Sequence, residues 1–328
     1  MRGGYIKGGL DSFMIEIQHV TKRYGNKLAV NDVSFSIQKG EILGFLGRNG
    51  AGKTTTMNII TGYISATSGT VMLDGYDILD NPREVKRRIG YLPEMPPLYL
   101  DMTVNEYLRF VCAIKDVKRS QVAAHLKDIT ELIGLGDVRG RLIRNLSKGY
   151  RQRVGMAQAL VGNPEVVILD EPTVGLDPKQ ILEVRRLIRQ LGEDHTIVLS
   201  SHILPEVADV CDRLVIIHQG KIVAEDTMAH MIHAESDIRK YQMRIAGAEK
   251  AVYDALRETD GIRQVDCLGS KEENTFDFLL QADASCDVRP LVFTRMANMG
   301  CPILMQKPVD LDLEDVFLHL TGESGEEA

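Results

Sequence analysis

Short apolar runs of three to five residues recur along the first part of the chain and predict strands that are buried on both faces. These runs lie at 42–46, 166–169, 196–200 and 214–217. Ahead of them, residues 15–17 and 33–37 alternate between apolar and polar side chains, which predicts two half-buried strands. The pattern as a whole predicts an α/β domain.

Helical stretches separate these strands, and two of them carry explicit start signals. Thr103–Glu106 has the spacing of a capping box, and Asp177 followed by Pro178 is a typical helix start. The predicted helices cover 103–114, 120–133, 148–160 and 179–191. Residues 98–145 therefore form a helical insertion, which reaches about residue 160 when the next helix is included.

Beyond the first domain, which we place at 14–234, the predicted elements follow the order βαββαβ. That order is typical of a small ferredoxin-like α+β domain, here 235–320. We expect a final amphipathic helix at 313–320, an acidic tail at 321–328 that is disordered, and a loose N-terminal extension at 1–13. Strands of the second domain are predicted at 241–245, 264–268, 275–280 and 302–305, and helices at 248–258 and 288–298.

Composition and charge narrow the possible functions. The net charge of −7, from 39 basic and 46 acidic residues, argues against a general nucleic-acid binder, so no nucleic-acid partner is expected. No window approaches the roughly 18 apolar residues of a membrane span, and the first residues lack the apolar core of a secretory signal. Five cysteines without a C-x-x-C pair are expected to be reduced, mostly buried thiols rather than disulfides or zinc ligands.

A phosphate-binding loop follows the strand at 42–46 and fits the pattern G-x-x-x-x-G-K-[ST]. Its backbone N–H groups would surround a β-phosphate, Lys53 would reach the β- and γ-phosphates, and Thr54 would ligate Mg²⁺. A glycine-rich turn without a ligand is the alternative, but the strand before and the helix after favour a nucleotide. The loop consists of Gly47, Arg48, Asn49, Gly50, Ala51, Gly52, Lys53, Thr54 and Thr55.

Acidic side chains end the apolar run at 166–169, at the sheet edge where α/β proteins bind ligands. Asp170 is predicted to hold Mg²⁺, usually through water, and Glu171 to orient and deprotonate the attacking water. Two acids capping the next helix is a weaker interpretation because Pro172 intervenes. A lone histidine is usually structural, but His202 ends a strand at the same edge and is a candidate γ-phosphate contact.

Three further candidates have weaker local signals. Glu94 lies on a proline-rich loop after a short strand, where it can sense a γ-phosphate or bind the metal. Tyr24 taken alone is more often a turn residue that packs its ring, and only its distance ahead of the phosphate loop favours stacking on a nucleotide base. Ser147 is a good N-cap whose helix offers a second anion site, although Ser-Lys-Gly alone is unremarkable.

Together these motifs resemble the ATP-binding subunits of ABC transporters over about residues 14–230. The phosphate loop, the segment 146–152 (hereafter the signature segment), the acids at 170–171, Gly175–Asp177 and His202 occur in the family's order. The resemblance is closest to bacterial subunits of the drug-export and gliding-motility type. Those proteins also pair an Ile-Gly-Tyr-Leu-Pro-Glu loop with the C-terminal motif found here at 313–322.

The resemblance implies a P-loop NTPase fold with an antiparallel β subdomain and a helical insertion, which hydrolyses ATP with Mg²⁺ as a head-to-tail dimer. The dimer would be a homodimer or a pair with a related ATPase subunit. Ser147 and Gly149 would close over ATP on the partner's phosphate loop, Tyr24 would stack on adenine, and Asp177 would link the two sites. Loop 91–97 would signal to a separately encoded transmembrane permease, on the inner face of the cytoplasmic membrane, and the chain would power export.

Two positions depart from the family pattern, and two rival functions remain. Glu94 replaces the usual Gln, and the signature reads Leu-Ser-Lys-Gly-Tyr instead of Leu-Ser-Gly-Gly-Gln. One rival is a soluble ABC-type ATPase acting on ribosomes or DNA, which typically has two cassettes or a long coiled-coil insertion. The other is a P-loop kinase or a regulatory nucleotide-binding module, which would have no use for the signature segment.

Overall fold

The computed structural model describes residues 13–309, apart from 228–229, 231–237, 273 and 284. The predicted extension, C-terminal helix and acidic tail lie outside the described residues, except for Phe13 at the start of the first strand. The chain divides into two compact units after residue 227, and each is described separately below.

The first unit contains two sheets. One is antiparallel, with strand order β2-β1-β4-β5, and the other has six strands in the order β10-β9-β3-β8-β7-β6. The strands are β1 (Phe13–Tyr24), β2 (Lys27–Gln38), β3 (Ile42–Leu46), β4 (Ser68–Leu73), β5 (Tyr76–Asp77), β6 (Ile89–Leu92), β7 (Val166–Asp170), β8 (Thr196–Ser201), β9 (Arg213–His218) and β10 (Lys221–Asp226). The helices are α1 (Lys53–Ile60), α2 (Pro82–Arg88), α3 (Val104–Ile114), α4 (Val122–Leu132), α5 (Lys148–Leu160), α6 (Pro178–Gly192) and α7 (Leu204–Ala208).

The six-stranded sheet positions the site. Strands β9, β3, β8, β7 and β6 pair in parallel, and β10 adds to one edge in antiparallel orientation. Every residue of β3 and β7 is buried, as the uninterrupted apolar runs predicted. The carboxyl ends of β3, β7 and β8 therefore deliver the phosphate loop, the two acids and His202 to one edge of the sheet.

The antiparallel sheet and the helical insertion agree with the sequence pattern. In β1 and β2, the apolar residues at 15, 17, 33, 35 and 37 are buried, and Phe35 packs against Phe45 of the larger sheet with ring centroids 5.4 Å apart. In the insertion, Thr103 and Glu106 form the predicted capping box of α3. Helix α4 begins at Val122, two residues later than expected, and Gln121 before it makes no side-chain cap.

The second unit has the predicted element order. It contains β11 (Ile238–Ala246), α8 (Glu249–Arg257), β12 (Ile262–Gly269), β13 (Thr275–Asp283), α9 (Arg289–Asn298) and β14 (Ile303–Val309). The strand order is β12-β13-β11-β14, and every pair is antiparallel. One face of this sheet packs under α8 and α9 around Met243 and Phe278, which are fully buried. The ferredoxin-like assignment stays a prediction.

The composition predicted reduced, mostly buried cysteines and no membrane span. All five thiols are free, but only Cys112 is buried, and the other four are half-buried, so the prediction of mostly buried cysteines is wrong. Cys211, Cys286 and Cys301 lie between elements, and Cys267 lies on the edge strand β12, so neighbouring elements cover them only in part. Among the described residues, the helices are all too short or too polar to span a membrane.

Candidate functional site

The phosphate loop leaves β3 at Leu46 and enters α1 at Lys53. A β-carbon on Gly47 would lie 2.5 Å from the carbonyl oxygen of Ile217. Gly52 has φ of +118°, and a β-carbon there would lie 2.8 Å from the carbonyl oxygen of Ala29. Because only glycine fits both places, the backbone can follow the curve needed to present its N–H groups. Arg48, Asn49, Gly50 and Thr54 are exposed along this loop, Thr55 is half-buried and Ala51 is buried.

Lys53 reaches back across the loop and is only 5% exposed. Its Nζ donates to the carbonyl oxygen of Gly47 at 2.7 Å and lies 3.1 Å from Oε1 of Glu171. The structure therefore brings together Lys53 and Glu171, two predicted catalytic residues that are far apart in the sequence. The contact is a buried ion pair, which is stable only while both partners are present.

Asp170 ends β7 and is completely buried. Its Oδ1 accepts a 2.5 Å hydrogen bond from the Ser200 hydroxyl, whereas Oδ2 has no hydrogen-bond partner among the described residues. Burial raises the pKa of Asp170; the hydroxyls of Ser200 and Thr54 oppose the rise, and the charges of Glu171 and Glu94 add to it. The Thr54 hydroxyl is thus close to this carboxylate without bonding Oδ2 in good geometry.

Glu171 is only 5% exposed and is held by three neighbouring side chains, those of Ser200, Lys53 and His202. Its backbone N–H donates to the Ser200 hydroxyl at 3.0 Å, and its carboxylate contacts Lys53 on one oxygen and Nδ1 of His202, at 2.8 Å, on the other. Its φ is +50°, a left-handed conformation that is uncommon outside glycine. Such strain persists where surrounding contacts enforce it, often at functional sites.

Glu94 lies on the loop after β6 and is exposed. Its charge contributes to the raised pKa of Asp170. The pKa of Tyr91 is also raised, mainly by burial, then by the charges of Asp170 and Tyr63, and last by that of Glu94. The Tyr91 hydroxyl donates to Oδ1 of Asn58 in α1 at 3.2 Å. Glu94 and Asp170 line one groove, and the role of Glu94 as a metal ligand stays a prediction.

Tyr24 is the last residue of β1, and 48% of its surface is exposed. The Lys22 ammonium lies 5.2 Å from the centre of its ring. The ring is therefore open to a planar ligand, and the predicted stacking on adenine stays a prediction.

The signature segment opens α5. Ser147 is the N-cap, and its Oγ accepts from the N–H of Tyr150 at 3.4 Å. Gly149 is buried because the Gln180 side chain of α6 covers it. Asp177 caps α6 by accepting from the N–H of Gln180 at 2.9 Å, as predicted. The contacts of Ser147 and Gly149 are thus with α5 and α6, and their predicted phosphate contacts stay a prediction.

Ser200 is a site residue that the sequence analysis did not single out. It bonds both Asp170 and the N–H of Glu171, and so fixes the two acids relative to each other. The signal lies in the parallel register, in which Asp170 pairs with Ser200 across β7 and β8. Two runs that end in Asp-Glu and Ser-Ser are recognisable in sequence, but their register is not.

A groove of about 1210 Å³ adjoins the site and includes Thr54 and Asp170 in its lining. Its lining includes five exposed apolar side chains, those of Tyr63, Met95, Tyr99, Phe110 and Ile114. The lining also includes four basic side chains, those of Arg83, Lys86, Arg87 and Lys115, and Asp116, which lies 3.4 Å from Arg87. The Lys115 ammonium donates to the carbonyl oxygens of Lys86 and Ile89, and burial lowers its pKa.

Comparison with known proteins agrees with this geometry. A family model described as ABC transporter matches residues 30–174. The bacitracin transport ATP-binding protein BcrA of Bacillus licheniformis is 38% identical, over 74% of this chain and 78% of its own length. The uncharacterized ABC transporter ATP-binding protein YhcH of Bacillus subtilis (strain 168) is 33% identical, over 96% of this chain and 98% of its own.

A solved structure described as the dimeric structure of a bacterial ABC transporter cassette is 26% identical, with a TM-score of 0.61. The match covers 66% of this chain and 99% of the chain in that structure. The P-loop NTPase fold predicted for the first unit is confirmed. The chain belongs to the ABC transporter family, as an ATP-binding and ATP-hydrolysing subunit of the drug-export type.

Proposed function

We propose that the chain is the motor of an exporter, in which ATP binding closes a dimer and hydrolysis reopens it. The observation that carries this is the buried contact of Glu171 with both Lys53 and His202 at the edge of the parallel sheet. A structural ion pair has no need of the third partner, the strained backbone or the adjacent glycine loop. In an ATPase site, the glycine loop would hold the phosphates, and the contacts with Lys53 and His202 would hold Glu171 beside them.

The residues have separable roles in the proposed reaction. Lys53 moves from Glu171 to the β- and γ-phosphates when ATP binds, because phosphate oxygens carry more charge than one carboxylate. Glu171, oriented by His202 and the N–H bond to Ser200, then accepts a proton from the attacking water. His202 would contact the γ-phosphate through the ring nitrogen that does not face Glu171. Phosphoryl transfer needs mostly positioning and charge neutralisation, which this arrangement provides.

The donor set fits Mg²⁺. Asp170 offers a buried carboxylate oxygen with no hydrogen-bond partner among the described residues, and Thr54 offers a hydroxyl beside it. Hard oxygen donors of this kind suit Mg²⁺, which would neutralise charge on the β- and γ-phosphate oxygens. We propose Thr54 and Asp170 as its protein partners, with Glu94 adding negative charge nearby.

The second half of the site is proposed to come from a partner subunit. Ser147 and Gly149 would contact ATP held by the partner's phosphate loop, and Tyr24 would stack on its adenine. Support comes from the position of Ser147 at the start of a thirteen-residue helix, whose N-terminal N–H groups favour anions, and from the dimeric relative.

The base role of Glu171 is tested by Glu171→Gln, which keeps the size of the side chain but cannot accept the proton. We expect hydrolysis to fall to background while an ATP-bound dimer accumulates on size-exclusion chromatography. Glu193→Gln makes the same charge change at an exposed position after α6 and should hydrolyse ATP normally. Normal turnover by Glu171→Gln would remove Glu171 from the base role.

The groove beside the site is proposed to bind a cytoplasmic segment of the separately encoded permease. Its exposed apolar side chains and its basic side chains fit an amphipathic helix that carries acidic residues. Because Thr54 and Asp170 lie in the same groove, a bound segment would respond directly to the nucleotide. We therefore propose that the chain works in the cytoplasm, on the inner face of the membrane, and that the permease selects the substrate.

The partner's charge is tested by reversing Arg83 and Lys86 together to Glu. The purified double variant should hydrolyse ATP like the wild type but no longer co-purify from membranes with its permease. A matched control is the reversal of the exposed pair Lys118 and Arg119, which do not line the groove. Equal recovery of the permease with both double variants would contradict an acidic partner segment.

A further inference from the structure

We propose that Lys148 is a positioning residue, whose side chain lies over Gly175 and ties the signature segment to the loop that follows Glu171 in the same subunit. The proposal rests on the two-subunit site proposed above. In that arrangement, Ser147 and Glu171 of one subunit belong to different nucleotide sites. Lys148 fixes the position of Ser147 relative to Glu171 within that subunit, and so links the two sites.

The contact between Lys148 and Gly175 is steric. Gly175 has φ of +70°, and a β-carbon there would collide with the Lys148 ammonium. The same β-carbon would also lie 3.0 Å from Cε and 3.5 Å from Cδ of Lys148. Carbon atoms as well as the charged end thus occupy the space above Gly175. The stem of the lysine therefore fills a place that a side chain at position 175 would otherwise take.

A second contact of the same kind runs in the opposite direction. The Gln180 side chain covers Gly149, where a β-carbon would lie 2.5 Å from Oε1 and 2.9 Å from Cδ. One side chain of α5 therefore lies on a glycine before α6, and one side chain of α6 lies on a glycine in α5. Two reciprocal contacts resist sliding of the signature segment along the loop.

The loop between Glu171 and Asp177 transmits a displacement at Gly175. It is compact, because the N–H of Val174 bonds the carbonyl oxygen of Glu171 and the N–H of Leu176 bonds that of Thr173. Thr173 is further held by a hydrogen bond to the Glu206 carboxylate. Only three residues separate Glu171 from Gly175. The position of Lys148 and that of Glu171 are therefore set by one rigid segment.

Substitution of Gly175 by Ala separates this contact from general stability. The lysine is flexible, so the new methyl group would displace it without unfolding the chain, and the remaining cost is the strain of a positive φ. Gly75→Ala is the matched control, because Gly75 has φ of +78° and nothing within 4 Å of its β-carbon position. The two variants should show similar losses of thermal stability.

The readout is the ATP concentration that gives half-maximal dimerisation in the Glu171→Gln background. Gly175→Ala and Lys148→Gly should each raise it by about fivefold to tenfold, the range of a single coupled contact, and Gly75→Ala should leave it unchanged. Lys148→Met keeps the stem and should behave like the parent. The double variant Lys148→Gly with Gly175→Ala should match either single variant, because both remove one contact.

A second readout does not depend on dimers. In the nucleotide-free chain, amide hydrogen exchange at 173–177 should be faster in Lys148→Gly than in the parent, and unchanged in Lys148→Met. Unchanged exchange in Lys148→Gly would overturn the proposal, as would multiplied effects in the double variant. Failure of the Glu171→Gln parent to dimerise with ATP would instead contradict the proposed function, leaving the exchange experiment to decide on Lys148.

Discussion

Asp170 in the first unit and Asp277 in the second are both buried carboxylates, at 0% and 1% exposure, yet their surroundings are opposite. Asp277 is fully paired, since Arg244 donates from Nε at 2.7 Å and Gln242 donates at 3.2 Å. Asp170 has only the Ser200 hydroxyl on one oxygen and no hydrogen-bond partner among the described residues on the other. Hydrogen bonding to Arg244 lowers the pKa of Asp277, whereas burial raises that of Asp170.

The difference distinguishes a structural acid from a functional one. A buried carboxylate that serves stability is surrounded by donors, because an unpaired charge in the interior is costly. A carboxylate that serves a ligand keeps an oxygen free for it, and the fold bears the cost. Burial alone does not separate the two kinds, but the count of satisfied oxygens does.

The largest expected effect follows Asp170→Asn, which removes the free anionic oxygen. ATP hydrolysis should fall by at least about 100-fold, the scale seen when a charge-stabilising group is lost from an active site. Thermal stability should be unchanged or higher, because an unpaired buried charge is removed. Steady-state ATPase assays and thermal melts check both. A large loss of stability in this variant would show that Asp170 is structural.

A smaller effect is expected for Ser200→Ala, which leaves Asp170 in place but removes both hydrogen bonds that Ser200 makes to the acids. Loss of a hydrogen bond from a buried hydroxyl should lower the rate of ATP hydrolysis by about tenfold. We expect kcat to fall and the KM for ATP to change little, because Ser200 positions Glu171 without touching the phosphates. A change confined to KM would contradict this positioning role.

Asp277→Asn should affect stability and leave catalysis unchanged. It leaves the Arg244 guanidinium without its closest carboxylate, so the second unit should melt about 4–8 °C lower, the shift expected for one significant interaction in a domain of this size. Nucleotide binding by the first unit should be unaffected. The melting of the second unit can be followed by hydrogen exchange at β11 and β13.

The smallest expected effect is on the pH dependence of thermal stability. Asp170→Asn and Asp277→Asn should change it in opposite directions and over different pH ranges. The pKa of Asp277 is lowered on folding, so its stabilisation is present at neutral pH and is lost only below about 4, as pH falls through the folded value. The pKa of Asp170 is raised, so its destabilisation is full at neutral pH and is relieved as pH falls toward 4. Melts of both variants against the wild type between pH 4 and 8 separate the two.

Much of this contrast was predictable for the first unit. The strand, loop and helix pattern around Lys53 and the acids that end β7 identify the site, because the chemistry is carried by consecutive residues. The helix that follows the loop begins at Lys53, directly after Gly52, which takes a left-handed conformation.

What the sequence did not predict depends on long-range pairing. Ser200 reaches Asp170 across 30 positions, and Arg244 reaches Asp277 across 33. Residues 275–280 were predicted as a strand, but alternation does not indicate which face holds a buried acid. The positive φ of Glu171 and the placement of Lys148 over Gly175 likewise follow from packing between elements, which short-range patterns do not encode.

The central claim, that each ATP lies between two subunits, is tested by two mixed dimers built from differently tagged chains. In one, the first subunit carries Lys53→Ala and the second carries Ser147→Ala; in the other, one subunit carries both changes. The account predicts ATP hydrolysis in the first dimer, which keeps one complete site, and background activity in the second, which keeps none. Equal activity in the two, or activity only in the second, would contradict it.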